Sequence, residues 1–368
     1  MPLVPKHISI LSPYKAGKPI EEVKRELGLD KIIKLASNEN PLGPSPKVLE
    51  AVIESLPDTS RYPDPSGYEL RTKLADKFFL KMENVILGAG SEGIMSAIMR
   101  AFLLPGDEIV ATRNSFIGFK VLANACGNKT NWIDMEKYRY NLPAMADSIS
   151  DYTKIVYLAN PDNPTGSYFS VKEFDTFMEK VPDRVLVILD EAYFEYAMFT
   201  GDYPDSMHYR YDNVITLRTF SKVYGLAGFR VGYGFAHKTL ISNLLKVKLP
   251  FEPSVPAQAA AITSLEDSDY LEKSLSVNIE GMKLLSQTFN HHQIRFIPSV
   301  TNFLTMVFEN DNLSNHISME LLKRGVIVRN LVSFGLPECI RVTIGTPEEN
   351  LFFIQQLEDI IKLIKEEN

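Results

Sequence analysis

The stretch KIVYLANPDNPTG, residues 154–166, is an apolar run that ends in a turn built of asparagine, proline and glycine. Ile155, Val156, Tyr157 and Leu158 follow one another with no charged interruption, the pattern of a strand buried on both faces of a parallel sheet. Runs of the same kind lie on either side: VIL at 85–87, EIVA at 108–111, VLVIL at 185–189 and VITL at 214–217. Helix-length segments separate them. After the first run, Ile94, Ile98 and Phe102 recur four residues apart, as one face of a helix requires. The alternation predicts an α/β fold, a large domain whose mainly parallel sheet is sandwiched by helices. Further on, 266–290 and 347–366 read as amphipathic helices around strand-like 303–308, 326–329 and 340–344, which predicts a smaller α/β domain. Residues 1–45, rich in proline, glycine and asparagine, read as an ordered arm. The expected division is 1–40 for the arm and part of the small domain, 41–262 for the large domain and 263–368 for the small domain.

Composition narrows the class. At 368 residues and 45% hydrophobic, the chain can bury a large core without staples. A net charge of −7 argues against a nucleic-acid partner, which calls for a basic stripe. Two cysteines, Cys126 and Cys339, exclude a disulfide framework and a thiolate zinc cluster. No run approaches the roughly 18 apolar residues of a membrane span. Pro2, Pro5 and Pro13 interrupt the N-terminus, so no signal peptide is read there and the expected location is cytoplasmic. His291 and His292 have no carboxylate or cysteine at ligand spacing and read as surface imidazoles, so no metal is expected.

Three central strands are each followed by a polar residue of a different kind. Asn163 lies in NPDNPTG (160–166), Asp190 opens DEAY (190–193), and Lys222 closes RTFSK (218–222). Their spacing is about one βαβ unit of 30 residues. In open parallel sheets ligands bind beyond the carboxyl ends of the strands, so the three should converge in one crevice. Singly, each has an ordinary explanation, since Asp and Asn cap helices and lysines are usually solvated. Together an amide, a carboxylate and an amine could hold a heteroaromatic cofactor.

GAGSEG, residues 88–93, fits G-x-G-x-x-G between a strand and a helix and admits two readings. As a dinucleotide fingerprint it would make the chain a nicotinamide-dependent dehydrogenase, and would need an acidic residue ending the next strand. That strand ends at Thr112 and Arg113, with Asp107 and Glu108 before it, so the fingerprint is incomplete. As a glycine turn opening a helix, it would cradle any phosphate with backbone N–H groups.

Residues 160–166, 190–193 and 218–230 (RTFSKVYGLAGFR) resemble, collinearly, the signature blocks of fold type I pyridoxal-phosphate aminotransferases. Residues 35–44 (LASNENPLGP), 61–67 (RYPDPSG), 325–329 (GVIVR) and 341–346 (RVTIGT) resemble blocks of the histidinol-phosphate aminotransferase family. The resemblance implies a cofactor, pyridoxal 5′-phosphate, bound in the large domain through a Schiff base with Lys222. It implies that Asp190 pairs with the pyridine nitrogen and that Asn163 and Tyr193 bond the cofactor's phenolic oxygen. It also implies that Phe116 stacks on the ring, while Gly90, Ser91, Glu92, Ser221 and Arg230 hold the phosphate. Tyr62 would reach the phosphate of a second subunit, which implies a homodimer. Arg341, with Arg329 beside it, would read the substrate's anionic group, and Asn38 and Tyr14 would line the substrate pocket.

The activity implied is amino exchange between glutamate and 2-oxoglutarate on one side and histidinol phosphate and imidazole acetol phosphate on the other, in histidine biosynthesis. An aromatic-amino-acid aminotransferase is the nearest alternative, and a threonine-phosphate decarboxylase a remoter one. Two places depart from the family pattern and are expected near the substrate: LPFEPS at 249–254, and Phe119 where a tyrosine is common.

Overall fold

The apolar runs become neighbours in one seven-stranded sheet of the computed structural model, which describes residues 3–13, 19–209 and 211–367. The spatial order is Val85–Gly88, Gly232–Phe235, Val214–Thr219, Leu186–Asp190, Thr153–Ala159, Glu108–Thr112 and Lys129–Ile133. The last five are parallel to one another, whereas Gly232–Phe235 runs antiparallel to both of its neighbours. The unbroken apolarity of residues 155–159 has a direct cause. Ile155, Tyr157 and Ala159 pack into one cluster with Ile94, Ile98 and Ile188, while Val156 and Leu158 pack on the opposite face with Phe174 and Val187. Burying each such aliphatic side chain stabilises the fold by about 1.5–3 kcal/mol. In the helix Gly90–Phe102, Ile94 and Ile98 are buried and Phe102 is half-buried, as their spacing predicts.

Two strands of this sheet escape the sequence reading. Lys129–Ile133 is half-exposed and polar at the sheet edge. Gly232–Phe235 contains two glycines, which argue against a strand on propensity. Gly232 is required by packing, because a Cβ there would stand 2.6 Å from the Gly90 carbonyl carbon and the Ser91 nitrogen.

A second sheet is wholly antiparallel, in the order Arg329–Asn330, Cys339–Thr343, Phe303–Val307 and Arg295–Ile297. The helices Ser268–His291, Asp311–Lys323 and Pro347–Glu367 cover it, with Leu285, Phe289, Leu304, Leu321, Ile340 and Phe353 in the core between. The arm contains the short helices Lys6–Ser9 and Ile20–Leu27 and the strand Ile33–Lys34, which pairs in parallel with Val326–Ile327. His292 does have a carboxylate neighbour: Glu358 on the C-terminal helix lies 2.9 Å from its Nε2. No helix among the described residues is long and apolar enough to cross a membrane.

Candidate active site

Ala159 stands in register with Asp190, and Asp190 with Leu217, so the carboxyl ends of three parallel strands form one edge. Asn163, Asp190 and Lys222, expected to converge there, line a single cavity with Phe116 and Tyr193. Asp190 is only 4% exposed. Its Oδ2 accepts a hydrogen bond from the Tyr157 hydroxyl at 2.9 Å, and its Oδ1 is buried with no hydrogen-bond partner among the described residues. Burial pushes the Asp190 carboxyl up to about 7, against the opposing hydrogen bonds from the Tyr157 hydroxyl and the Ala192 backbone N–H. Burial also brings the Lys222 amine down to about 8, and the positive charges of Arg341 and Arg230 push the same way. Tyr193 accepts from Asn38 Nδ2 at 2.7 Å, and burial raises its phenol to about 12, so it keeps a proton to donate. Asn163 Oδ1 accepts from Arg341 Nη1, which leaves the amide N–H groups to donate elsewhere.

The far end of this cavity is made of backbone. Gly90 has φ +71°, and a Cβ on it would stand 2.8 Å from Arg230 Nη2. Arg230 is itself left-handed at φ 53° and accepts from the Gly90 N–H at 3.1 Å. Thr219 Oγ1 donates to the buried Ser221 Oγ at 2.9 Å. The Glu92 carboxylate takes Arg230 Nη2 at 3.1 Å, so the backbone N–H is what Glu92 has left for a phosphate. The dinucleotide reading of this loop fails on topology. Its strand, Val85–Gly88, is the sheet's edge strand and pairs antiparallel, whereas the dinucleotide motif needs a parallel βαβ unit. The residues fit pyridoxal phosphate on two counts. The glycine cup opens a helix where an anion is favoured, and the partnerless Oδ1 of Asp190 suits a protonated ring nitrogen.

A second cavity shares Glu92, Phe116, Asn163 and Lys222 with the first and adds Asn38, Phe334, Arg329 and Arg341. Arg329 and Arg341 are register partners on antiparallel strands. Like charges directly opposite one another destabilise a ladder, so this placement fits an anion between them. Arg341, 4% exposed, donates through Nη2 to the Ala36 carbonyl at 2.7 Å and lies over Phe303, 5.1 Å from the ring centroid. Arg329 donates to Ser333 Oγ at 3.2 Å. Asn38 sits at φ 56° and donates its backbone N–H to Thr343 Oγ1 at 3.0 Å.

Two expectations, for segment 249–254 and for Phe119, end elsewhere. Tyr62 is 78% exposed, stands outside the described linings of both cavities, and stacks on Phe251 at 4.3 Å. Segment 249–254 therefore adjoins Tyr62 rather than the arginines. Phe119 is not beside the substrate cavity: it is 1% exposed and stacks on Tyr157, centroids 3.9 Å apart. Tyr14 lies outside the described residues.

Sequence reasoning missed two supports. One is Tyr157, whose only signal was a phenol inside an aliphatic strand. The other is Asp162, fully buried, whose Oδ1 accepts from Ser115 at 2.5 Å and whose Oδ2 accepts from the Thr165 hydroxyl at 2.8 Å. It ties the loop before Phe116 to the loop carrying Asn163, and burial raises its carboxyl to about 6.

The family model "Aminotransferase class I and II" matches residues 30–357. A histidinol-phosphate aminotransferase of Carboxydothermus hydrogenoformans is 41% identical over 98% of this chain and 100% of its own. One from Pseudomonas fluorescens is 42% identical over 95% of each chain. The crystal structure of histidinol-phosphate aminotransferase from Sinorhizobium meliloti, in complex with pyridoxal-5′-phosphate, superposes with a TM-score of 0.91 over 99% of both chains at 27% identity.

Proposed function

This chain belongs to the class I and II aminotransferases and, among them, to the histidinol-phosphate aminotransferase family, and from that premise we propose how its residues divide the work. It is a pyridoxal-phosphate-dependent transaminase. Its substrates are glutamate with 2-oxoglutarate and histidinol phosphate with imidazole acetol phosphate, in histidine biosynthesis. The observation that carries this reading is the pair Arg329 and Arg341 facing each other in a cavity that also contains Lys222. A guanidinium fork matches both a carboxylate and a phosphate, and the two half-reactions need both.

Gly90, Ser91, Glu92, Ser221 and Arg230 would hold the cofactor's phosphate, with Phe116 against its ring and Asn163 and Tyr193 donating to its phenolic oxygen. When bound, pyridoxal phosphate supplies an aldehyde that takes up the amine and a ring that accepts the electron pair released at the substrate's Cα. Asp190 holds a proton at the ring nitrogen through Oδ1. Lys222 Nζ, neutral above about 8, takes the proton from Cα. Arg341 orients the substrate's anion, with Arg329 opposite and Asn38 beside it. The domain division proposed is 1–40, 41–262 and 263–368, which puts the arginines on the small domain and the lysine on the large one.

The decisive experiment compares kcat/KM for histidinol phosphate, glutamate and phenylalanine. Preference for histidinol phosphate supports the reading, and preference for phenylalanine replaces it with an aromatic aminotransferase. A homodimer is supported by the exposed apolar side chains Leu56, Tyr68 and Leu249 and by the exposed Tyr62, which stacks on Phe251. If Tyr62 completes the other subunit's site, mixing Tyr62→Ala and Lys222→Ala chains restores activity that neither variant has alone, because one site per hybrid is intact. Absence of restoration in a proven hybrid removes Tyr62 from that role. We place the enzyme in the cytoplasm, where free thiols such as Cys126 and Cys339 persist, which cell fractionation checks.

A further inference from the structure

Behind Asp190 lies a stacked aromatic pair that no step above uses. Tyr157 is register partner of Ile188, two residues before Asp190 on the neighbouring strand, so its ring reaches Asp190 as a diagonal neighbour on one face. It is 1% exposed and donates its hydroxyl to Asp190 Oδ2 at 2.9 Å. Its ring lies flat on Phe119, with centroids 3.9 Å apart and planes 8° apart. Phe119 sits on the helix Ile117–Cys126, one turn beyond the cavity residue Phe116.

We propose that Tyr157, braced by Phe119, is a positioning residue that keeps Asp190 ionised and presents its free oxygen to the cofactor's ring nitrogen. This rests on the reading of Asp190 as the ring-nitrogen partner. The physical argument is a competition. A carboxyl taken out of water favours its neutral form, and a hydrogen bond donated to the anion opposes that. Tyr157 serves as a pure donor, since burial and the Asp190 charge hold its phenol well above its ordinary value. By occupying Oδ2 it leaves Oδ1 as the acceptor. A phenylalanine at 119 supports the ring without adding a second hydroxyl that would need its own buried partner. The other groups that face Asp190 are the Ala192 backbone N–H and Lys222, which favour its anion, Glu92, which opposes it, and the neutral phenols Tyr140 and Tyr193.

The test is Tyr157→Phe, read as cofactor affinity rather than turnover. Cofactor-free protein is titrated with pyridoxal phosphate, and with the analogue whose ring nitrogen is replaced by C–H, at pH 7 and pH 9. Loss of a hydrogen bond to a charged group predicts about tenfold weaker binding of pyridoxal phosphate at pH 7. The deficit shrinks at pH 9, where Asp190 ionises without help, and the analogue shows none. An equal deficit for both ligands at both pH values would mean that Tyr157 is only structural, and overturns the proposal. Phe119→Leu keeps the hydroxyl while loosening the stack and gives a smaller loss with the same dependence on the ring nitrogen. A loss indifferent to the ring nitrogen counts against the proposal here too. Failure of the unaltered protein to bind pyridoxal phosphate at all would instead break the reading of the site itself.

Discussion

Asp190 and Arg341 are each 4% exposed, yet the protein accommodates the two buried charges in opposite ways. Asp190 ends a parallel strand whose neighbours are fixed by continuous ladders on both sides, and the Tyr157 hydroxyl holds one of its oxygens while the Ala192 backbone N–H also favours its anion. Arg341 lies in a small antiparallel sheet, shares its register position with a second arginine, and bonds a loop carbonyl and the Asn163 amide. The carboxylate has one geometry and one remaining acceptor, which suits a partner that stays through every cycle. The arginines present planar guanidinium forks that match a carboxylate or a phosphate equally, which suits partners that alternate. Rigidity serves the resident group, and the guanidinium fork serves the exchangeable ones.

Lys222 stands in both cavities, so its removal gives the largest expected effect. Lys222→Ala should lower turnover by at least about 10⁴-fold, the upper range for a lost proton-transfer group, while the cofactor still binds by absorbance titration. Survival of activity would assign the base elsewhere and dissolve the link between the two regions.

Asp190→Asn comes next, with turnover down by about 10³-fold and a stability signature in the cofactor-free protein. Burial raises Asp190 to about 7 in the fold from an unfolded value near 3.8. Between those values the folded protein binds more protons than the unfolded chain, so this carboxyl's contribution is greatest below pH 4 and is lost as pH rises through 7. Melting temperatures across pH 4–8 should show the unaltered protein losing ground to Asp190→Asn as pH rises. A constant difference would mean that Asp190 is not held in the way described.

Arg341→Ala is the mildest of the three, at about 10²-fold in kcat/KM, the cost of truncating one partner of a buried charged contact. It should fall on both glutamate and histidinol phosphate. A loss confined to one substrate would show that the arginines have separate rather than shared duties. Because Arg341 helps depress Lys222, the same change should raise the lysine from about 8, seen as a later midpoint in the pH dependence of amine acylation.

Asn163, Asp190 and Lys222 could be read from sequence because a parallel sheet places the residue after each strand at one edge, and strand runs are legible. The facing of Arg329 and Arg341 could not, since register between strands is a tertiary outcome, and only family resemblance pointed to the pair. Tyr157 and Asp190 are 33 residues apart, and nothing in either segment marks them as bonded. The strand Gly232–Phe235 was hidden for a different reason: its glycines answer to the nearness of Gly90 and Ser91, and local propensity opposes the structure they adopt. Phe119 was placed wrongly because a family departure was read as a substrate contact, when the residue faces the opposite side of its helix, into the core.

The register that sets Arg329 opposite Arg341 has a corollary for the bench. Between substrates, such a pair should take up small oxyanions, because inorganic phosphate or sulfate presents the same tetrahedral oxygens as a phosphorylated substrate. The expected outcome is inhibition by the buffer. Rates recorded in phosphate should fall below those in an amine buffer of equal ionic strength, and the apparent KM for histidinol phosphate should climb with phosphate concentration. Inside a cell, the standing pool of inorganic phosphate would set how much substrate the enzyme needs before it responds.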